Sequence, residues 1–163
     1  MSTSDTIQNY ILYRTTASGW QAVGYVIAAM QMTAEQATGA GTGLAYVLDA
    51  AGKYPAGSLY PVPSTGYALT GPSTATAGTA LTLTLTPDNY GPDTATAVTL
   101  SDGGAGGTFS SATVTFGAGV KTAQTVTYTP KAAGSVTISA TNSGGLTNPA
   151  ALAITVGAAA ATT

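Results

Sequence analysis

Six side chains in this sequence carry a carboxylate: Asp5, Glu35, Asp49, Asp88, Asp93 and Asp102. They are the main candidates for acid–base chemistry or hard-metal binding, because histidine and cysteine are both absent. Without histidine there is no usual general base for a serine or cysteine hydrolase, and the commonest metal ligand is missing. Without cysteine there is no disulfide framework and no thiolate metal site. Asp88 and Asp93 flank one loop beside Asn89, which could begin a calcium site if more oxygens converged there. Asp and Asn are also turn formers, because their side chains bond nearby backbone, and the turn-forming role is the preferred reading. Paired carboxylates can hydrolyse glycosides, but these sit in turns with no apolar pocket pattern to raise a pKa. The glycine run Gly103 to Gly107 lacks the Lys-Ser/Thr ending of a phosphate loop and precedes a strand, so it reads as a hairpin or crossover loop. The expectation is a protein with no catalytic residues, no cofactor and no metal.

The elements that would position these groups are strands. Leu81-Thr82-Leu83-Thr84-Leu85-Thr86 places leucines on one face and threonines on the other, a period of two. Residues 67–157 repeat that pattern. Tyr67 to Thr70 leads in, and Gly71-Pro72 turns. After the Pro87–Asp93 turn cluster comes Thr94 to Ser101, whose apolar phase shifts between Ala97 and Val98, as at a bulge. Ala112, Val114 and Phe116 alternate inward, then Gln124, Val126 and Tyr128, then Val136, Ile138 and Ala140, and finally Leu152, Ile154 and Val156. About seven strands with turn signals every 8 to 12 residues are the signature of an antiparallel β-sandwich. Its expected core is Leu81, Leu83, Leu85, Val114, Phe116, Val126, Tyr128, Val136, Ile138, Leu152 and Ile154. Residues 158–163 read as a fraying tail.

Residues 1–66 read differently. Ile7 to Tyr13 and the segment around Val23, Tyr25 and Ile27 suggest strands, with Gly24 arguing against a helix. Thr33-Ala-Glu-Gln36 fits a capping box that opens one or two helical turns before Gly39. Leu44 to Leu48 reads as a strand, Asp49 to Gly52 as a turn and Lys53-Tyr54-Pro55 as the return. Pro55, Pro61 and Pro63 then favour an extended path, more a linker lying along something than a packed domain. Seven aromatics fall here: Tyr10, Tyr13, Trp20, Tyr25, Tyr46, Tyr54 and Tyr60. Tyr and Trp enrich binding hot spots, so all seven are candidate partner contacts. The alternative is a small private core.

Only 6% of residues are charged, against roughly 25% in an average soluble domain. The surface is therefore Thr, Ser, Ala, Gly and backbone, with little electrostatic repulsion to oppose association. That suits a chain packed in an assembly, in many copies; the alternative is a secreted domain with a threonine-rich coat. The net charge is −2, and Arg14, Lys53, Lys121 and Lys131 are dispersed, which excludes a nucleic-acid surface. The apolar run from Trp20 to Met30 is broken by Gln21 and Gly24. It is shorter than the roughly 20 residues of a membrane span and too deep for a signal peptide. The expectation is a protein made in the cytoplasm and released by lysis.

Gly107-Thr-Phe-Ser-Ser-Ala-Thr-Val-Thr-Phe116, then Thr125-Val-Thr-Tyr-Thr-Pro-Lys-Ala-Ala-Gly134 and Ser135 to Ala150, resemble the bacterial Ig-like domains of surface proteins and phage virion proteins. The resemblance covers about residues 71–156. It implies an Ig-like sandwich and no shared catalytic residues. With the low charge and the aromatic first region, it leads to one expectation: a bacteriophage capsid decoration or cement protein. Residues 1–66 would dock on the major capsid protein or another virion subunit, and the Ig-like domain would be displayed. The alternatives are a tail or fibre component, or an adhesive module in which Tyr90, beside Asp88 and Asn89, stacks on cell-surface glycans.

Overall fold

The structure, a computed structural model, describes residues 6–159. Asp5 and the tail from residue 160 lie outside the described residues. The chain divides into two compact units, Met1–Val62 and Pro63–Thr163. Every regular element among the described residues is a strand.

The first unit is a three-stranded antiparallel sheet in the order β2-β1-β3, made of β1 (Gln8–Arg14), β2 (Val26–Met32) and β3 (Leu44–Leu48). β2 ends beside Gln8 and β3 begins beside Arg14. Residues 33–43 must therefore run back along the sheet before β3 can start. That stretch opens with the expected capping box: Thr33 N–H donates to Gln36 Oε1 at 2.9 Å, and Gln36 N–H donates to Thr33 Oγ1 at 3.3 Å. It makes a single turn, closed by Ala37 N–H on Thr33 O at 3.1 Å, and no helix follows.

Ile11 and Tyr13 share one face of β1. Residues 49–62 return along that side, with Tyr60 packed on Tyr13 at 4.9 Å and Tyr54 on Tyr60 at 5.3 Å between ring centroids. The expected return strand at Lys53–Pro55 is absent. The reason is Asp49, whose carboxylate accepts from Lys53 N–H at 2.9 Å and Tyr54 N–H at 2.8 Å and so coils the segment into a turn. The extended path expected after Pro55 is packed rather than a loose linker. Its Ser58 O accepts from Val26 N–H, and Tyr60 N–H donates to Gly24 O. Gly24, at φ +87°, allows this approach, because a Cβ there would meet Tyr60 O at 2.3 Å.

The second unit is a sandwich of two sheets. One has the order β4-β6-β10-β8, from β4 (Tyr67–Thr70), β6 (Leu81–Pro87), β8 (Thr108–Phe109) and β10 (Gln124–Thr129). The other has the order β5-β12-β11-β7-β9, from β5 (Thr74–Thr76), β7 (Thr96–Ser101), β9 (Thr113–Phe116), β11 (Gly134–Asn142) and β12 (Leu152–Gly157). This is an Ig-like arrangement of strands. It has nine strands where about seven were expected, because β5 and β8, of three and two residues, are too short to show an alternation of their own. Each lies in the sheet opposite its neighbour in the chain, β5 opposite β4 and β8 opposite β9. All pairings are antiparallel except β12 with β5, which is parallel.

Leu81, Leu83, Leu85, Val98, Leu100, Phe116, Val126, Tyr128, Val136, Ile138, Ile154 and Val156 fill the space between the sheets. Val114 and Leu152, expected in the core, are half-buried at its margin, and Ala112 is exposed because it lies between β8 and β9, outside either sheet. The bulge expected at Ala97/Val98 does not exist, since β7 keeps unbroken register with both β9 and β11. Thr96 is buried with Val98 and Leu100, so the inward phase is continuous through a threonine. Its hydroxyl is satisfied locally, donating to Thr94 O at 3.0 Å. The register shift in the described chain falls at Leu12/Tyr13 in β1.

Residues 63–66 belong to the end of the sandwich that carries the 87–95, 117–123 and 143–151 loops. Ser64 N–H donates to Gly91 O, Thr147 N–H to Thr65 O and Gly119 N–H to Pro92 O. The loops at 77–80, 102–107 and 130–133 gather at the other end, where Gly78 N–H donates to Pro130 O.

Candidate docking surface

Three carboxylates of the described chain hold loops together through their side chains. Asp49 closes the turn after β3, as above. Asp88 accepts from Thr65 N–H at 2.8 Å and Thr65 Oγ1 at 3.1 Å, and its own carbonyl takes the Ser64 hydroxyl. Asp102, at the opposite end of the sandwich, accepts from Gly104 N–H at 3.1 Å, Gly107 N–H at 2.8 Å and the Tyr128 hydroxyl at 3.1 Å. Burial pushes the Asp102 carboxyl up, but the donors from Gly107, Gly104 and Tyr128 outweigh it and hold the carboxyl below its ordinary value. The partner effect on Tyr128 is larger. Burial, then the hydrogen bond to Asp102 and its negative charge, push the phenol up to about 12.

Asp102 on Gly104 N–H is an Asx turn, Asp49 closes a wider local loop, and Asp88 tethers the distant Thr65; these bonds give each aspartate a structural role. Asn89 Nδ2 donates to Pro63 O at 3.1 Å, so the polar neighbours of Tyr90 are spent on the same loop rather than offered to a sugar. A hollow of about 610 Å³ in the second unit is lined by Thr65, Tyr67, Thr86, Asp88 and Asn148 among others. Its main polar groups are also engaged, since Asn148 Oδ1 accepts from the Tyr67 hydroxyl at 2.9 Å and Asn142 Nδ2 at 2.7 Å.

The seven aromatics of the first region separate into two groups. Tyr10 is 9% exposed and belongs to the unit's own core, so it has little surface left for a partner. Tyr13, Tyr54 and Tyr60 stack against one another inside the unit, and burial raises the Tyr13 phenol. Tyr46 is half-buried on β3. Trp20 stands apart at 79% exposure, with the half-buried Tyr25 meeting it edge-on at 5.0 Å and 79°.

The sequence reading treated these residues as one set, because aromatic content alone does not say which ring packs and which is presented. It also passed over the turn that presents Trp20. Ser18 and Gln21 form a bridge, with Ser18 N–H on Gln21 O at 2.9 Å and Gln21 N–H on Ser18 O at 3.1 Å. Gly19, at φ +58°, makes this two-residue turn possible, and a Ser-Gly-Trp-Gln run is a readable signal for one. Leu59, paired with Tyr25 across an isolated bridge and 50% exposed, was missed as well.

No protein-family model matches the chain, and no curated protein sequence does. Among solved structures, domains 4 and 5 of the S-layer protein SbsC align over 93% of this chain and 77% of that one, at 17% identity and a TM-score of 0.40. The D00-D0 domain of intimin aligns over 94% of this chain and 87% of that one, at 16% identity and a TM-score of 0.42.

Proposed function

We propose that this chain is a non-enzymatic structural accessory protein of a bacteriophage particle, a capsid decoration protein that docks through its first unit and displays its Ig-like second unit. The observation that carries the reading is where the large apolar side chains remain exposed. Among the described residues, four of six, Ile7, Trp20, Leu48 and Leu59, lie in the smaller first unit, and Tyr90 and Val120 lie in the sandwich. Scattered exposed apolar residues are ordinary, but a concentration in the smaller unit is what an attachment module requires. The low charge of the whole chain supports packing in many copies side by side, because neighbours repel one another weakly. The three loop-anchoring aspartates support a scaffold role, since their oxygens already serve backbone donors. Deleting residues 1–62 should abolish recovery of the protein with purified particles, measured as copies per particle. Recovery of the truncated chain at full occupancy would overturn the reading.

A further inference from the structure

We propose that Trp20, Tyr25, Leu59 and Arg14 form a single docking patch whose occupant is a neighbouring protein subunit of the particle, offering an apolar pocket with a carboxylate at its rim. This rests on the decoration reading and supplies its point of contact.

The four residues are brought together by backbone pairing. Arg14 N–H donates to Tyr25 O at 3.0 Å, and Tyr25 is bridged in turn to Leu59. Trp20 then leans on the Tyr25 ring from the turn at 18–21. The base of that turn is clipped to β1, since Arg14 Nε donates to Gln21 Oε1 at 2.8 Å. A tryptophan at the tip of a tight turn, 79% exposed and touching one ring edge-on, gains little for the fold. Held this way, it loses little further freedom on binding, which lowers the cost of association. Trp, Tyr and Arg are the residue types that dominate binding hot spots.

Charge selects the occupant. Gln21 is the described side-chain partner of Arg14 and uses only Nε. The terminal guanidinium N–H groups remain for a carboxylate, which they fit in bidentate fashion. A second copy of this chain meeting the patch face to face would set Arg14 against Arg14. A glycan would want a flat stacking platform, whereas Trp20 and Tyr25 meet at 79°.

The chain has one tryptophan, so protein made with 5-hydroxytryptophan, excited to the red of ordinary tryptophan, reports Trp20 alone even on a particle. Full-length protein is added back to particles lacking it. The bound protein should show blue-shifted emission and protection from acrylamide compared with the free chain. Trp20→Ala should weaken particle binding by at least about thirtyfold, the loss of a hot-spot residue. Arg14→Gln should weaken it less and remove most of its salt dependence. If wild-type protein binds at full occupancy while Trp20 stays as quenchable as in the free chain, the patch is overturned and the decoration reading stands. Full occupancy by Trp20→Ala has the same meaning. If wild-type protein binds no particle, both are overturned. Trp20-dependent capture on a glycan array, or Trp20-dependent self-association in sedimentation, overturns the protein-subunit occupant.

Discussion

The two units of this chain solve the burial problem by different means. The sandwich lays two sheets face to face, so each strand needs one apolar face only. Leucines and valines then alternate with threonines, and the threonine face supplies the uncharged surface. The first unit has a single sheet of three strands, about the fewest that stand alone, and its apolar side chains must be covered by something other than a second sheet. Its covers are irregular segments, and they are fastened by Asp49, by a capping box and by stacked tyrosines rather than by more strands. One unit is therefore held mainly by a large shared core, the other by specific polar clips and rings. The second design leaves apolar side chains at its edges, and those are the ones available to a partner.

The sharpest break in that comparison comes from the sandwich core. Leu83 is fully buried on β6 between the sheets. Leu83→Ala should destabilise the second unit by about 2–5 kcal/mol, the transfer loss plus the cavity left behind. Tyrosine near-UV circular dichroism during urea unfolding would measure it. A change below about 1 kcal/mol would mean that the sandwich is loosely packed. In the first unit the comparable loss should come from a polar group. Asp49→Ala leaves the N–H groups of Lys53 and Tyr54 without their acceptor, at a cost of about 1–3 kcal/mol. Trp20 emission during unfolding reports that unit, and Asp49→Asn, which keeps one acceptor oxygen, should recover part of the loss. An unchanged transition for Asp49→Ala would show that the tyrosine cluster alone holds the cover in place.

The same contrast explains what could be read from the sequence. A period of two is written directly into residues such as Leu81 to Thr86, so the sandwich core was legible before the structure was seen. The exceptions are positions where a residue type hides its role. Thr96 fills a core position with its hydroxyl bonded at home, so the strand looked broken when it was not. Ser110 to Ala112 carries the chain from one sheet to the other, and no pattern marks such a crossing. In the first unit β1 is covered on both faces, so Gln8 to Arg14 shows no polar side, and periodicity could identify the strand without showing what covers it. The site was less legible still. Seven aromatics share a composition, and only the Ser18–Gln21 turn and the stacking of Tyr13, Tyr54 and Tyr60 separate the presented ring from the packed ones.

Asp102 and Tyr128 give the sandwich a pH dependence with two edges. The Asp102 carboxyl is held below its unfolded value. Its contribution is present above about pH 4 and is lost as pH falls through the folded value. The Tyr128 phenol is raised from 10.0 to about 12. Its contribution is full below pH 10 and is lost as pH rises toward 12, because the unfolded chain releases that proton first. Tyr128→Phe should cost about 1 kcal/mol near neutrality and remove most of the alkaline decline, the raised Tyr67 phenol keeping the rest. Asp102→Asn should remove the acid decline and bring the Tyr128 phenolate transition down toward 10, followed by phenolate absorbance. An unmoved Tyr128 titration in that variant would show that burial alone sets it.

The smallest expected effect is the most informative about the first unit. Trp20 is its most exposed large apolar side chain among the described residues, and its turn is closed by backbone bonds between Ser18 and Gln21 that do not involve the indole. Trp20→Ala should therefore change stability by no more than about 0.5 kcal/mol, the ordinary range for surface sites. A thermal melt followed by far-UV circular dichroism measures this after the tryptophan signal is gone. If the variant instead loses 2 kcal/mol or more, a magnitude typical of core truncation, the indole is a structural cover for Tyr25 and the first unit resembles the sandwich more closely than its geometry indicates. A near-neutral result leaves the tryptophan without a folding role. The hydration cost of carrying a large apolar group in water is then relieved only when something outside the chain receives it.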